Sequence, residues 1–192
     1  QIGMVMQARD IDPRKLGENW PQWGAVDYGT SRPFVHLGLC QDPGTLRLYV
    51  TWEVSKAGVV PASKQARMIL DSAPDFYEPR FTVADPAMWI RQADTGYSIA
   101  EIYGRAGVML TKASNDRLSG LARLREFMAD DEDGVPNLQV FSTCRQLIKN
   151  LPSLVRDPHR VEDVDTDGLD DEYDALRYGT MAAHWVQRKG RP

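Results

Sequence analysis

Acidic side chains crowd into a short segment near the C-terminus, where a helix is predicted to begin. Eight carboxylates fall within residues 162–174, and the predicted helix runs from about residue 170 to residue 187. Like charges repel, so carboxylates at this density need either water or a cation, and Mg²⁺ and Mn²⁺ prefer carboxylate oxygens. On the helix, Asp170 and Asp171 precede Asp174 by four and three residues, so either pair shares one helix face.

Two further aspartates, Asp27 and Asp85, each end an apolar run that is typical of a strand. If these strands are neighbours in a sheet, the two carboxylates lie within bridging distance. Acids from three elements can hold two metal ions about 4 Å apart, one activating a water and the other stabilising the leaving 3′ oxygen of a phosphodiester. The pattern therefore predicts a metal-dependent nuclease.

Each of these features also has a purely structural interpretation. An aspartate at a strand end is commonly a turn or cap residue, and Asp85 before Pro86 fits a turn. The acidic run fits a solvated linker, and acids in a first helical turn are favoured by the helix dipole. The occurrence of all three features in one chain favours the catalytic interpretation.

The composition fits a single folded domain without a membrane segment. The chain has 192 residues, of which 42% are hydrophobic and 26% charged, ordinary values for a globular protein that buries a core. No apolar run approaches the roughly 20 residues of a membrane helix, and no signal peptide is visible. The two cysteines are far apart, which predicts free buried thiols. No phosphate-binding loop appears, so we do not expect this chain to hydrolyse ATP.

The elements that must position the acids are predicted from periodicity and turn residues. We expect residues 1–23 to be a loop-rich lead-in and residues 24–192 to be one domain. Three strands between residues 24 and 54 form an antiparallel meander, after which helices and strands alternate. This order predicts an α/β fold of the ribonuclease H-like type: a mixed sheet, antiparallel in its first three strands and then parallel, flanked by helices. Further strands are predicted at 80–84, 108–110 and 138–141, and helices at 62–73, 98–105, 117–129, 143–150 and 170–187.

Contacts with nucleic-acid phosphates are predicted only weakly. The net charge of −4 argues against a constitutive nucleic-acid coat protein but not against an enzyme that acts on DNA. Scattered basic residues are usually surface charges. Four of them are weak DNA-binding candidates: Lys56, Lys64, Arg117 and Arg177.

In chain order, these motifs resemble the C-terminal nuclease domain of bacteriophage terminase large subunits, the motors that package viral DNA. Residues 25–29 are similar to the first catalytic strand of that family, and residues 83–89 to its second acidic motif. Residues 98–107 and 114–120 resemble its intervening helix, strand and helix. Residues 162–179 resemble its third motif, the most specific of the set.

The resemblance implies a ribonuclease H-like fold and cleavage of double-stranded viral DNA concatemers by two Mg²⁺ or Mn²⁺ ions in one site. It carries Asp27, Asp85 and Asp174 over as catalytic metal ligands, with Asp170 and Asp171 as further candidate ligands. Many relatives have His at the position of Asp171. Which of the three helix acids is the principal ligand stays open, with Asp174 ranked first.

The resemblance also implies partners. These are double-stranded DNA, an N-terminal ATPase domain of the same polypeptide, the viral portal and the small terminase subunit. The chain begins at Gln1 rather than Met, so we expect a segment of a longer protein. We expect the host cytoplasm as its location.

Two alternatives compete with this hypothesis. A Holliday-junction resolvase or a transposase of the same fold would carry similar acids and prefer other DNA substrates. A non-catalytic docking module of the packaging motor would be consistent with the net negative charge and with the acidic loop at residues 130–133.

Overall fold

The computed structural model describes residues 7–9, 20–29, 33–150 and 171–189, with side chains described from residue 20 to residue 183 within those ranges. The strands are β1 (Gln7–Arg9), β2 (Gln22–Asp27), β3 (Phe34–Gln41), β4 (Leu48–Lys56), β5 (Thr82–Ala84), β6 (Leu110–Lys112) and β7 (Leu138–Phe141). The helices are α1 (Ala62–Ser72), α2 (Ile99–Ala106), α3 (Arg117–Met128), α4 (Arg145–Asn150) and α5 (Asp171–Lys189), and a 3₁₀ helix spans Pro86–Trp89. In these ranges, no helix is both long and apolar enough to cross a membrane.

All seven strands form one sheet in the order β1-β7-β4-β3-β2-β5-β6. Strands β2, β3 and β4 are an antiparallel meander. The strands β5, β6, β7 and β1 are all parallel to their neighbours. The predicted mixed sheet, antiparallel in its meander and parallel beyond it, is therefore confirmed.

Of the expected loop-rich lead-in, the structure describes only residues 7–9 and 20–23, and the rest lies outside the described residues. Residues 7–9 form β1, which lies at the sheet edge and pairs in parallel with β7. Strand β2 begins at Gln22, two residues before the expected start of the domain. A strand of three residues is too short to show an alternating pattern, so periodicity could not reveal β1.

The sheet separates two apolar cores, one on each face. The first core contains Trp23 and Ala25 of β2 and is covered by α3, α4 and α5. The second contains Val26 and is covered by α1 and α2. Neighbouring residues of a strand face opposite sides of the sheet. Since Ala25 faces the first core and Val26 the second, Asp27 faces the first.

Helix α5 lies close against the first face of the sheet. The indole Nε1 of Trp23 donates a hydrogen bond to the carbonyl of Gly179 at 3.0 Å. A Cβ atom on Gly179 would lie 2.8 Å from the side chain of Leu39. Only a residue without a side chain allows this approach, which brings the first half of α5 over the end of β2.

Local signals define the ends of the two middle helices. Ser98 and Glu101 form a capping box at the start of α2, and Gly107 ends that helix with φ 103°. The side chain of Asp116 accepts from the N–H of Ser119 and caps α3. Helical spacing predicts Leu118 on the buried face of α3, which is wrong, since Leu118 is 58% exposed.

Candidate active site

Asp27 and Asp85 occupy matching positions on neighbouring strands. In the parallel pair β2–β5, Val26 lies opposite Ala84. The next residue on each strand is an aspartate, and paired strands are about 4.8 Å apart. By the period of two, both aspartates share the face of Ala25, which is the face that α5 covers. Two carboxylates thus lie side by side at the carboxyl ends of β2 and β5.

The carboxylate of Asp85 is held by two donors. Its Oδ1 accepts from the backbone N–H of Ala87 at 2.7 Å, so Asp85 caps the 3₁₀ helix. Its Oδ2 accepts from the hydroxyl of Tyr178 on α5 at 3.0 Å. Asp85 is therefore a structural cap, and its second oxygen is directed at α5.

Asp174 lies on α5 one turn before Tyr178 and forms an ion pair. Its Oδ1 accepts from Nε of Arg177 at 3.0 Å and from Nη2 at 2.8 Å. The guanidinium of Arg177 lies 4.5 Å from the ring centroid of Tyr178 and is 1% exposed. Because both donors meet the same oxygen, the pair orients Asp174 without using Oδ2 for either bond.

The Tyr178 hydroxyl lies in the field of acids from three elements, although only Asp85 bonds to it. Burial raises the pKa of this phenol, and the nearby carboxylates of Asp174, Asp85 and Asp27 raise it further, in that order. Arg177 acts in the opposite direction. The structure thus brings together acids from β2, β5 and α5, and Tyr178 is a site residue that sequence reasoning missed. Its spacing of four residues from Asp174 was the available signal.

The two other acids of α5 are both buried. Asp171 is buried, with 3% exposure. Glu172 is equally buried, and its Oε1 accepts from Oγ of Ser55 at 3.3 Å. Ser55 belongs to β4, two strands away from Asp27, so Glu172 is directed away from the Asp27–Asp85 pair. Asp170 lies outside the described residues.

Glu172 also has an acidic neighbour. Burial raises the pKa of Glu53 on β4, and the charge of Glu172 adds to that rise. Two backbone N–H groups at the start of α4 act in the opposite direction, donating to Glu53 from Gln146 at 2.7 Å and from Leu147 at 3.0 Å. Glu53 is therefore occupied as the cap of α4.

The donor set fits a hard divalent cation in kind but is not assembled around one point. Carboxylate oxygens are the ligands that Mg²⁺ and Mn²⁺ prefer. Across the described ranges, however, no group of three or more His, Cys, Asp or Glu side chains is arranged to hold a metal ion. Asp174 is drawn to Arg177, and Asp85 to Tyr178 and Ala87. A cation at this site would be held by the Asp27–Asp85 pair and would require Asp174 to turn toward it.

The four weak DNA-binding candidates are in different environments. Lys56 at the end of β4 and Lys64 on α1 are exposed, and Arg117 at the start of α3 is half-buried. Arg177 is buried against α3, where its side chain would clash with a Cβ on Gly120 at 2.6 Å. Its guanidinium is therefore inaccessible to DNA in this structure and pairs with Asp174.

Several solved structures that are similar to this chain are large terminases of bacteriophages or their nuclease domains. The P22 large terminase nuclease domain matches with a TM-score of 0.72 and 20% identity, covering 100% of this chain and 98% of that one. The large terminase nuclease domain of bacteriophage SPP1 with bound Mn matches with a TM-score of 0.59 and 15% identity, covering 90% and 92%. The large terminase of a thermophilic bacteriophage in complex with ATP-γ-S matches with a TM-score of 0.67 and 16% identity, covering 88% of this chain.

These likenesses show the fold. No model of a known protein family and no curated protein matches the chain. The chain has the ribonuclease H-like fold of large terminase nuclease domains, as its sequence motifs predict. It spans 43% of the length of the thermophilic large terminase.

Proposed function

We propose that this chain is a divalent-metal-dependent endonuclease that cuts double-stranded viral DNA concatemers during genome packaging. The observation that carries the proposal is the position of Asp27 and Asp85 at the ends of paired strands, with Asp85 bonded to Tyr178 one turn after Asp174 on α5. The shared fold with terminase nuclease domains supports it. So does the manganese bound in the SPP1 domain.

The residues that would hold the metal are Asp27, Asp85 and Asp174, with Asp170 and Asp171 as further candidates. Two Mg²⁺ or Mn²⁺ ions held there would supply activation of a water and stabilisation of the leaving 3′ oxygen. The chain contributes orientation. The N–H of Ala87 and the hydroxyl of Tyr178 fix the carboxylate of Asp85, and Arg177 positions Asp174.

The proposed partners follow from the same relatives. This chain spans 43% of a large terminase that is described with a bound ATP analogue, which supports an ATPase domain elsewhere in the same polypeptide. With a net charge of −4, we expect weak, salt-sensitive DNA binding that the complete motor strengthens. Portal and small terminase subunit are the proposed docking partners, in the host cytoplasm.

A supercoiled-plasmid assay in Mn²⁺, Mg²⁺ and EDTA tests the proposal. We expect nicking and linearisation in metal only, and loss of both in Asp27→Ala. Asp71→Ala is the matched control, because Asp71 is an exposed aspartate on α1 whose side chain is 66% exposed. Cleavage that survives in Asp27→Ala, or that needs no metal, would contradict the proposal.

The same assay separates the two alternatives. Strong preference for a four-way junction over linear duplex would favour a resolvase of this fold. Absence of cleavage in either metal, together with tight binding to a portal protein, would favour a docking module.

A further inference from the structure

Asp85 lies between helix α5 and a surface cavity. On one side it meets Tyr178 of α5. On the other side it lines a surface cavity of about 370 Å³. Met88 and Ile99, which belong to the second core, give this cavity an apolar floor. Whatever fills the cavity therefore lies against a carboxylate of the candidate active site.

The rim of the cavity combines aromatic, apolar and cationic groups. Tyr28, the residue after Asp27, contributes a half-buried phenol ring. Ile90 is 69% exposed and the side chain of Arg91 is 75% exposed. Aromatic rings bind nucleic-acid bases by stacking, and guanidinium groups bind phosphates. The rim thus offers a surface for a base and a group for a phosphate within one cavity.

Arg91 can exchange its present partner for a phosphate. Its Nη2 lies 3.6 Å from Oε1 of Glu101. An exposed pair of this kind contributes little stability. The other carboxylate oxygen of Glu101 accepts from the N–H of Ser98 in the capping box, so Glu101 stays in place when Arg91 changes partner.

The volume of the cavity limits the size of the ligand that it can hold. Small-ligand pockets measure about 300–1,000 Å³, so this cavity suits one nucleotide and is too small for a duplex. A bare anion would gain nothing from Tyr28, Ile90 or the apolar floor, and Asp85 would repel it. A nucleotide linked to the scissile phosphate uses both halves of the rim.

We propose that this cavity seats one unpaired nucleotide of the strand being cut, next to the scissile phosphate. Its base lies against Tyr28 and Ile90, and its phosphate lies at Arg91. The inference rests on the proposed function and deepens it. It implies that the duplex opens locally beside the cut, since a paired base cannot enter.

Photo-cross-linking tests the location directly. An oligonucleotide carrying 5-iododeoxyuridine beside a frayed end is bound to the wild-type chain in Ca²⁺ and irradiated. We expect mass spectrometry to find the adduct on Tyr28 or within residues 87–92. Adducts confined to other parts of the chain, or no bound oligonucleotide, overturn the inference.

Binding of the same oligonucleotide, followed by fluorescence anisotropy, tests the phosphate contact. For Arg91→Ala the slope of log K against log salt should fall by about 0.7, the value for one phosphate contact on a single strand. Arg67→Ala is the matched control, because Arg67 has a similar exposure of 70% and an ion pair of the same 3.6 Å. Equal slopes for the two variants overturn the inference.

The outcomes separate this inference from the proposed function. Metal-dependent cleavage that is lost in Asp27→Ala, with adducts outside the cavity, leaves the nuclease standing and removes the nucleotide site. No metal-dependent cleavage by the wild-type chain removes the proposed function and, with it, this inference.

Discussion

The candidate acids and His36 lie on opposite faces of the sheet and differ in their hydrogen-bond partners. On the α5 face, Asp85 follows the end of β5 and Asp174 lies on α5. Each carboxylate accepts hydrogen bonds from polar donors. On the other face, His36 in the middle of β3 is fully buried against the rings of Trp52 and Tyr77, with centroids 4.7 and 6.0 Å away. Among the described residues neither ring nitrogen of His36 has a hydrogen-bond partner.

Burial explains the difference. An ionisable group without a partner in an apolar interior avoids its charged form, and burial lowers the pKa of His36 to about 3. The carboxylates instead lie where β2 and β5 end and where α5 supplies Arg177 and Tyr178. Burial therefore does not distinguish the candidate ligands Asp27 and Asp85, which instead share a position at the carboxyl ends of β2 and β5.

The largest expected effect is a loss of cleavage activity on substitution of Asp85, with little loss of stability. Asp85→Asn should lower the rate of metal-dependent cleavage about a thousandfold, roughly 4 kcal/mol of transition-state stabilisation. The thermal midpoint should change little, because the Asn side-chain oxygen can still accept from Ala87. Plasmid cleavage and thermal melts of the purified variant give both values. A rate within tenfold of the Asp71→Asn control would contradict a ligand role.

The other face should respond to pH. The pKa of His36 is about 3 when folded and about 6.5 when unfolded. The unfolded chain thus binds the proton first, and stability falls as the pH drops below 6.5. The loss should reach roughly 2 kcal/mol between pH 6.5 and 4.5, and urea denaturation across that range measures it.

His36→Gln removes the titrating group and should flatten this dependence. Asp116 and Asp131 also change stability with pH, but in a lower pH range than His36. Hydrogen bonds from Ser119 and Arg47 lower the carboxyl pKa values of these two residues. Their contribution to stability is present above the unfolded pKa of about 3.9 and is lost only below it. A variant that keeps the wild-type slope between pH 6.5 and 4.5 would show that His36 is not buried in its neutral form.

Packing on the second face gives the next effect. A Cβ on Gly38 would lie 1.9 Å from Nε1 of Trp52, so Gly38→Ala should destabilise the fold by about 2 kcal/mol. Gly44→Ala is the control, since its nearest neighbour would be Asp42 Oδ1 at 3.3 Å in an exposed turn. Urea denaturation measures both. Equal midpoints would mean that Trp52 does not lie over Gly38.

The smallest effect concerns Tyr178. If its hydroxyl orients Asp85 for a metal ion, Tyr178→Phe should weaken Mn²⁺ binding about tenfold in calorimetry. Tyr97→Phe is the control, because Tyr97 is 41% exposed and stacks only against Arg105 among the described cation–ring contacts. Unchanged or tighter Mn²⁺ binding in Tyr178→Phe would remove the positioning role.

Sequence patterns predicted the fold well because its signals are local. Alternation predicted β4, turn residues predicted the meander, and Gly107 predicted the end of α2. The strand ends predicted that Asp27 and Asp85 lie close together if their strands are neighbours, and β2 and β5 are paired. Burial of Arg177 escaped prediction, because it depends on how closely α5 and α3 approach at Gly120. Helical spacing also predicted Leu118 to be buried. Spacing shows which side of a helix is apolar, but it does not show how much of that side the neighbouring elements cover.

The most direct test of the central claim is anomalous diffraction at the manganese edge from crystals of this chain soaked in Mn²⁺. We predict anomalous density within coordination distance of both Asp27 and Asp85, with Asp174 turned toward it from Arg177. Bound manganese elsewhere on the surface, with Asp85 still held by Tyr178 and Ala87, would contradict the account.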